Sequence, residues 1–181
     1  MDPIKIIRKY YKTDSKAYKF LISHSIAVAK KALEIAKKVP ELEPDLKFIE
    51  EAAMLHDIGI FLVSDPELGC SGNKPYVCHG YLGRELLEKE GFPRHALVCE
   101  RHVGTGISIQ DIEKQKIPLP KRDMLPISAE EKIICYADKF FSKNEEFLTN
   151  EKSIDQVRKS QLRFGKDKVE KINEWLKEFG S

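Results

Sequence analysis

The sequence predicts an all-α fold, one helical domain over residues 1–181 with roughly six to eight helices. Three observations predict it. Apolar residues recur every third or fourth position through most of the chain. The periodic stretches are bounded by capping residues, Gly or Pro. No stretch alternates apolar and polar residues well enough to make a convincing strand.

The first segment, to about Tyr11, is short and amphipathic and reads as a helix. Thr13-Asp14-Ser15 supplies N-cap residue types, and a long helix follows to about Val39. Leu21, His24, Val28, Ala32, Ile35 and Val39 share its apolar stripe, so His24 is expected to face inward. Pro40 and Pro44 bracket a turn. Pro44 and Asp45 fit the first turn of the next helix, which carries IEEAAMLHDIGI (49–60) and stops at Gly59. Ile49, Ala53, His56 and Ile60 share one face of it, with Asp57 one step round from His56.

Periodicity disappears from Phe61 to Cys78, where Pro66, Gly69, Gly72, Asn73 and Pro75 mark a loop long enough to suggest function. A helix starts near His79 and stops at Gly91, the residue type favoured just past a helix end. His79, Leu82 and Leu86 share its inner face. Gly83, one turn after His79, leaves room for a close approach. Pro93 opens a helix with His95 and His102, ended by Val-Gly-Thr-Gly. Residues 103–127 form a second irregular region with Pro118, Pro120, Pro126 and the basic pair Lys121-Arg122.

Ser128-Ala129-Glu130-Glu131 matches a capping box, opening a helix whose inner face carries Ile134, Ala137, Asp138 and Phe141. This would complete a core region at about 14–143, to which all six inward His and Asp positions named below belong. Two more helices, about 153–164 and 167–179, are separated by Gly165. Val169, Ile172, Trp175, Leu176 and Phe179 give the last one an apolar face that suits a core or a contact in a homo-oligomer.

Composition narrows the function classes. Apolar residues make up 41% and charged residues 33% of 181 residues, as in a globular protein. No run of about 18 apolar residues exists to span a membrane. The N-terminus, MDPIKIIRKYYK, lacks the apolar centre and small-residue cleavage site of a signal peptide, which predicts a cytoplasmic protein. The net charge of +2 argues against a nucleic-acid-binding footprint. Cys70, Cys78, Cys99 and Cys135 form no C-x-x-C pair. Cys99 and Cys135 read as small core residues, and a Cys70–Cys78 bridge does not suit a reducing compartment.

Burying His56 and Asp57 together without a partner would cost several kcal/mol. A metal ion is an economical partner, and a hydrogen-bonded His-Asp pair near a helix end is the plainer one. Singly, an inward His is more often a hydrogen-bonded core residue, and Asp138 suits a cap or an ion pair. Five helices, however, would bring His24, His56, Asp57, His79, His102 and Asp138 to one core. Imidazole and carboxylate suit first-row divalent ions such as iron, manganese, cobalt, nickel or zinc. Four His and two Asp can make two sites, with one Asp as the bridge. His95 lies in the first turn after Pro93, beside Arg94, in a setting expected to be solvated, so His102 is preferred as the ligand.

The order His24, His56-Asp57, Asp138, with the string LHDIG, resembles the HD-domain superfamily of metal-dependent phosphohydrolases. The resemblance implies that His24, His56, Asp57 and Asp138 hold one divalent metal. With His79 and His102 it looks like the dinuclear branch, Asp57 bridging to a second metal on those two histidines. EEKIICYADKF and the Lys/Arg-rich tail are similar to a small archaeal-type group of HDIG proteins. The bacterial cyclic-dinucleotide phosphodiesterases of the HD-GYP type carry Lys after HDIG and Gly-Tyr-Pro after a paired His-His. Here Ile60 and Val-Gly-Thr-Gly stand instead, which argues against cyclic di-GMP. The chain looks closer to small dinuclear phosphohydrolases, among them diadenosine-tetraphosphate hydrolases and an archaeal pterin cyclic-phosphate phosphodiesterase.

The resemblance implies hydrolysis of a phosphomonoester or phosphodiester, nucleotide-like or cyclic, by a hydroxide bridging two metals, with His56 and Asp57 at the reacting centre. Lys74, Arg84 and Arg122, with Lys121 beside it, are candidate phosphate clamps or plain surface charges. The same ligand set also resembles the di-iron HD oxygenases. A non-catalytic signalling module is the third expectation, although such domains have usually lost ligands that this chain keeps.

Overall fold

The structure is a computed structural model that describes residues 1–180. Its axis is helix α2 (Lys16–Ala36). Ser15 caps α2 by accepting from the Tyr18 N–H, as its residue type predicts. The helix ends three residues before the expected Val39, because Pro40 disfavours helical backbone in the residue before it. Buried Leu21, His24, Val28, Ala32 and Ile35 form its inner stripe.

Helix α1 (Pro3–Tyr10) and α3 (Leu46–Leu55) precede the irregular stretch. Pro44 lies outside α3 rather than in its first turn, and Asp45 is the N-cap, accepting from Phe48 N at 2.9 Å. α3 closes at Leu55, earlier than expected. His56 is its C-cap, and the chain tightens into a 3₁₀ turn at Ile58–Leu62.

The loop after it contains a two-residue antiparallel ladder, β1 (Ser64–Asp65) with β2 (Cys70–Ser71), which corrects the expectation of no strand. Two-residue strands carry too little alternation to be read from sequence. Helices α4 (His79–Lys89) and α5 (Pro93–Arg101) pack against each other. Gly91, at φ +84, ends α4 as expected.

The region 103–127 is not wholly irregular. It contains α6 (Ile109–Gln115), opened by a capping box between Ser108 and Asp111. α7 (Ala129–Asp138) follows with Ser128 as N-cap. The reciprocal half of the expected capping box is missing: the Glu131 carboxylate takes Ile127 N and Arg101 instead. α8 (Ile154–Leu162) and α9 (Lys166–Phe179) end the chain on either side of Gly165. Nine α-helices thus stand among the described residues, all-α as predicted, one more than the upper expectation because of α6.

The main core joins α2, α3, α7 and α9, with Ile49, Ile134, Tyr136, Ile172 and Trp175 buried. A second cluster joins α1, α2, the end of α3, α4 and α5 around Ile7, Leu21, Leu55 and Leu87. All four cysteines are free and buried. No helix among the described residues is long and apolar enough to cross a membrane.

Candidate metal centre

The six predicted His and Asp side chains converge between the two core clusters. His24 comes from the middle of α2, His56 and Asp57 from the end of α3, His79 from the start of α4, His102 from the end of α5 and Asp138 from the end of α7. Asp138 keeps some exposure, and the other five are at most 4% exposed.

Close packing of backbone brings α4 in. A Cβ on Gly59 would lie 2.2 Å from the His79 carbonyl oxygen and 2.6 Å from Gly83 N. The room expected at Gly83 is occupied by the Gly59 turn and by Cys99 of α5, each 3.3 Å from where a Cβ would stand, and the Gly59 contact seats His79 beside Asp57.

Three imidazoles are oriented in the same way. His56, His79 and His102 place Nδ1 at 2.6, 2.6 and 2.7 Å from the carbonyl oxygens of Ala53, Tyr76 and Cys99. A carbonyl only accepts, so each Nδ1 carries the proton. In the neutral ring Nε2 is then a free lone pair. The His79 and His102 Nε2 atoms face each other at 3.1 Å. His24 differs: Nε2 lies 3.0 Å from Asp138 Oδ1, while its Nδ1 has no partner. Its ring stacks on Phe20 at 5.6 Å.

The Asp57 carboxylate divides the cluster in two. Oδ1 lies 3.1 Å from His79 Nε2 and 3.2 Å from His102 Nε2. Oδ2 lies 3.6 Å from His24 Nε2 and 3.7 Å from His56 Nε2, and His56 Nε2 is 3.6 Å from Asp138 Oδ1.

Burial lowers His56, but the Asp57 and Asp138 charges outweigh it and hold the group up at about 9. Burial brings His102 down to about 4. Burial raises Asp57 and Asp138, yet Asp57 is held well below the carboxylate range by His56 and His79, and Asp138 by Lys139.

The donor set fits a divalent cation. His56 Nε2 is fully buried with no hydrogen-bond partner, a costly state that a metal bond removes. The two facing lone pairs on His79 and His102 are relieved in the same way. His24, His56 and Asp138 have ligand atoms close enough to share one ion, as do His56, Asp57 and His102.

These side chains open into a cavity of about 560 Å³ lined by His24, Asp57, His79, His102 and Asp138, and also by Phe20, Tyr76, Lys139, Lys143, Lys152, Gln161, Arg163, Phe164 and Lys168. Lys74, Arg84 and Arg122 are not among its lining residues. Lys74 is exposed on the loop. Arg84 and Arg122 converge on buried Glu100, Arg122 Nε at 2.9 Å. The cations that face the cavity come instead from the chain after Asp138. Lys139 was legible only as the neighbour of Asp138. Its buried Nζ donates to Asp138 Oδ2 at 2.7 Å and to the His102 carbonyl at 3.0 Å. His95 is not solvated as expected. It is half-buried against Phe48 and Phe92, 3.4 Å from Glu51, and stands outside both ligand groups.

The HD domain family model matches residues 21–142, about two thirds of the sequence, including all six cluster residues. The chain belongs to the HD domain family. This is a family of metal-dependent phosphohydrolases whose members bind divalent metals, and the resemblance carried by His24, LHDIG and Asp138 stands. An uncharacterized protein of Methanocaldococcus jannaschii is 34% identical over 151 residues, covering 81% of this chain and 79% of that protein. A tRNA (cytidine(56)-2′-O)-methyltransferase of Thermoplasma volcanium is 29% identical over 96% of this chain and 45% of its own length. Its counterpart in Picrophilus torridus is 29% identical over 86% of this chain and 41% of its own length. The chain thus spans less than half the length of these two methyltransferases. No solved structure matches the chain.

Proposed function

We propose that this HD domain is a dinuclear phosphohydrolase acting on a small nucleotide-like or cyclic phosphoester. The observation that carries the reading is the Asp57 carboxylate, with one oxygen toward His79 and His102 and the other toward His24 and His56. His24, His56, Asp57 and Asp138 would hold one ion, and Asp57, His79 and His102 the second. Bound divalent ions would lower the pKa of water toward neutrality and draw charge from the phosphoryl oxygens.

The chain supplies the rest. The Ala53, Tyr76 and Cys99 carbonyls fix three imidazoles with Nε2 inward, so little reorientation is needed on loading. Lys139 ties the Asp138 carboxylate to the end of α5 and adds a fixed positive charge beside it. The cationic cavity favours an anionic substrate and orients it toward the cluster.

The test is phosphate or nitrophenolate release from bis(p-nitrophenyl) phosphate and from nucleotides, under nitrogen, after reconstitution with Mn²⁺, Fe²⁺, Co²⁺, Ni²⁺ or Zn²⁺. Metal-dependent release abolished in Asp57→Ala supports the proposal. Turnover that requires oxygen would replace it with the di-iron oxygenase reading. RNA enters as a second substrate reading, because two relatives carry tRNA in their names. Preference for a tRNA end over every mononucleotide in the same assay would favour it.

A further inference from the structure

Four side chains of the cavity stand apart from the His/Asp cluster, at the end of α8. Ser160 and Gln161 occupy its last turn, and Arg163 and Phe164 follow it. Gln161 is 6% exposed, yet its Oε1 is buried with no hydrogen-bond partner. Its Nε2 reaches only Ser160 Oγ, at 3.5 Å. An unmatched buried amide is costly, and this one lines a cavity, so a ligand N–H can complete it. Phe164 lines the same cavity while 56% exposed, which leaves an aromatic surface open for stacking.

The charge balance separates two of the cavity's cations from the others. Lys139 is matched by Asp138, Lys143 by Asp65 and Lys168 by Asp111. Among the described residues Lys152 and Arg163 have no carboxylate within ion-pair distance. Lys152 donates to the Phe141 carbonyl at 2.6 Å, and Arg163 Nε to the Ser160 carbonyl at 3.2 Å. Lys152 is half-buried, and burial holds its ammonium below the ordinary pKa, a condition that a bound anion reverses. A second cavity of about 580 Å³ shares Ser142, Lys143, Lys152, Ser160 and Arg163 with the first, so these two cations stand where the spaces join.

We infer that the end of α8 is a base-recognition platform for a nucleotide. The planar heterocycle stacks on Phe164 and offers an N–H to the Gln161 amide, while Lys152 and Arg163 take the phosphate oxygens. Gln161 and Phe164 thereby become specificity-determining residues that touch the ligand outside the metal cluster. The inference rests on the phosphoester-binding cavity proposed above and names which part of the substrate is read, and by what.

The test is calorimetric titration with AMP, CMP, GMP and UMP against ribose 5-phosphate. It is made on the metal-reconstituted protein and again after chelation, so that turnover does not interfere. At least one nucleotide is expected to bind about tenfold or more tighter than ribose 5-phosphate, the size of one base–aromatic stack. Phe164→Ala should remove that preference and leave ribose 5-phosphate binding unchanged, with Phe164→Trp restoring it. Gln161→Leu should narrow the spread among the four bases. Arg163→Ala should weaken all five ligands alike.

Equal binding of nucleotides and ribose 5-phosphate, or a preference that survives Phe164→Ala, would overturn the inference. The hydrolase reading fails separately. Base-selective binding with no hydrolysis would keep the platform and sink the activity. Hydrolysis of bis(p-nitrophenyl) phosphate with no base selectivity would do the reverse.

Discussion

Gly59→Ala is the perturbation that best tests how the fold builds the site. A methyl group there would meet the His79 carbonyl oxygen at 2.2 Å, Gly83 N at 2.6 Å and Gly83 Cα at 3.0 Å. Ordinary contact begins at 3.4 Å, so the two segments must separate by about 1.2 Å, within the backbone shifts that overpacking produces. The obstructing atoms are all backbone, which leaves no side chain to swing aside. α4 must move as a unit, and it carries His79 at its first position.

Overpacking of this kind costs about 1–3 kcal/mol, and with backbone on the far side the upper end, about 3 kcal/mol, is expected. A donor misplaced by ~1 Å also costs about 100-fold in rate. Urea unfolding of the metal-free protein measures the first effect, the rate of bis(p-nitrophenyl) phosphate hydrolysis the second, and metal stoichiometry shows whether the displaced His79 still binds. Gly69→Ala is the control: φ is +73 with nothing within 4 Å of the new methyl. It should lose about 1–2 kcal/mol through backbone strain alone and keep its metal content. Gly59→Ala protein within ~0.5 kcal/mol of wild type, with full metal content, would mean that the contact of Gly59 with α4 does not position His79.

Three further outcomes are expected. Lys139→Met removes the bonds to Asp138 and the His102 carbonyl. Metal affinity should fall about 10- to 100-fold in a competition assay while the α-helical circular dichroism is unchanged. Asp45→Ala removes the α3 cap and should cost about 1 kcal/mol at neutral pH. The Phe48 N–H, then Arg94, hold the Asp45 carboxyl below its ordinary 3.8. The contribution is therefore full above that pH and is lost as pH falls through the lowered value, so variant and wild-type unfolding curves should converge in acid. Trp175→Ala empties a site 3% exposed between α9 and Tyr136. It should cost about 3–5 kcal/mol by urea unfolding, with metal stoichiometry unaltered in the folded fraction.

The His/Asp cluster was legible because each member combines an inward-facing position with a chemistry that core positions rarely carry. His24 lies in the apolar stripe of α2 and Asp138 in that of α7, and both are found at the cluster. The close approach at Gly83 was readable from its place one turn after His79, although only the structure shows that Gly59 and Cys99 fill it. The cavity's cations were not legible. Lys152, Arg163 and Lys168 look like the solvated charges of an ordinary helical tail, and only tertiary packing turns them toward the site. Arg84 and Arg122 looked equally available, but buried Glu100 claims both. The helix α6 was hidden by its shortness and by the prolines that follow it. The burial of His95 was not legible, because Pro93 and Arg94 suggest solvent whereas Phe48 and Phe92 cover the ring.

In the proposed centre one carboxylate, Asp57, joins two sets of metal ligands. Metal content per chain, measured by elemental analysis on anaerobically reconstituted protein, separates this arrangement from a mononuclear one when wild type is compared with His79→Ala. Near two ions per chain in wild type, falling toward one in the variant, is the predicted result. One ion in both proteins would take His79 and His102 out of the centre and contradict the dinuclear arrangement.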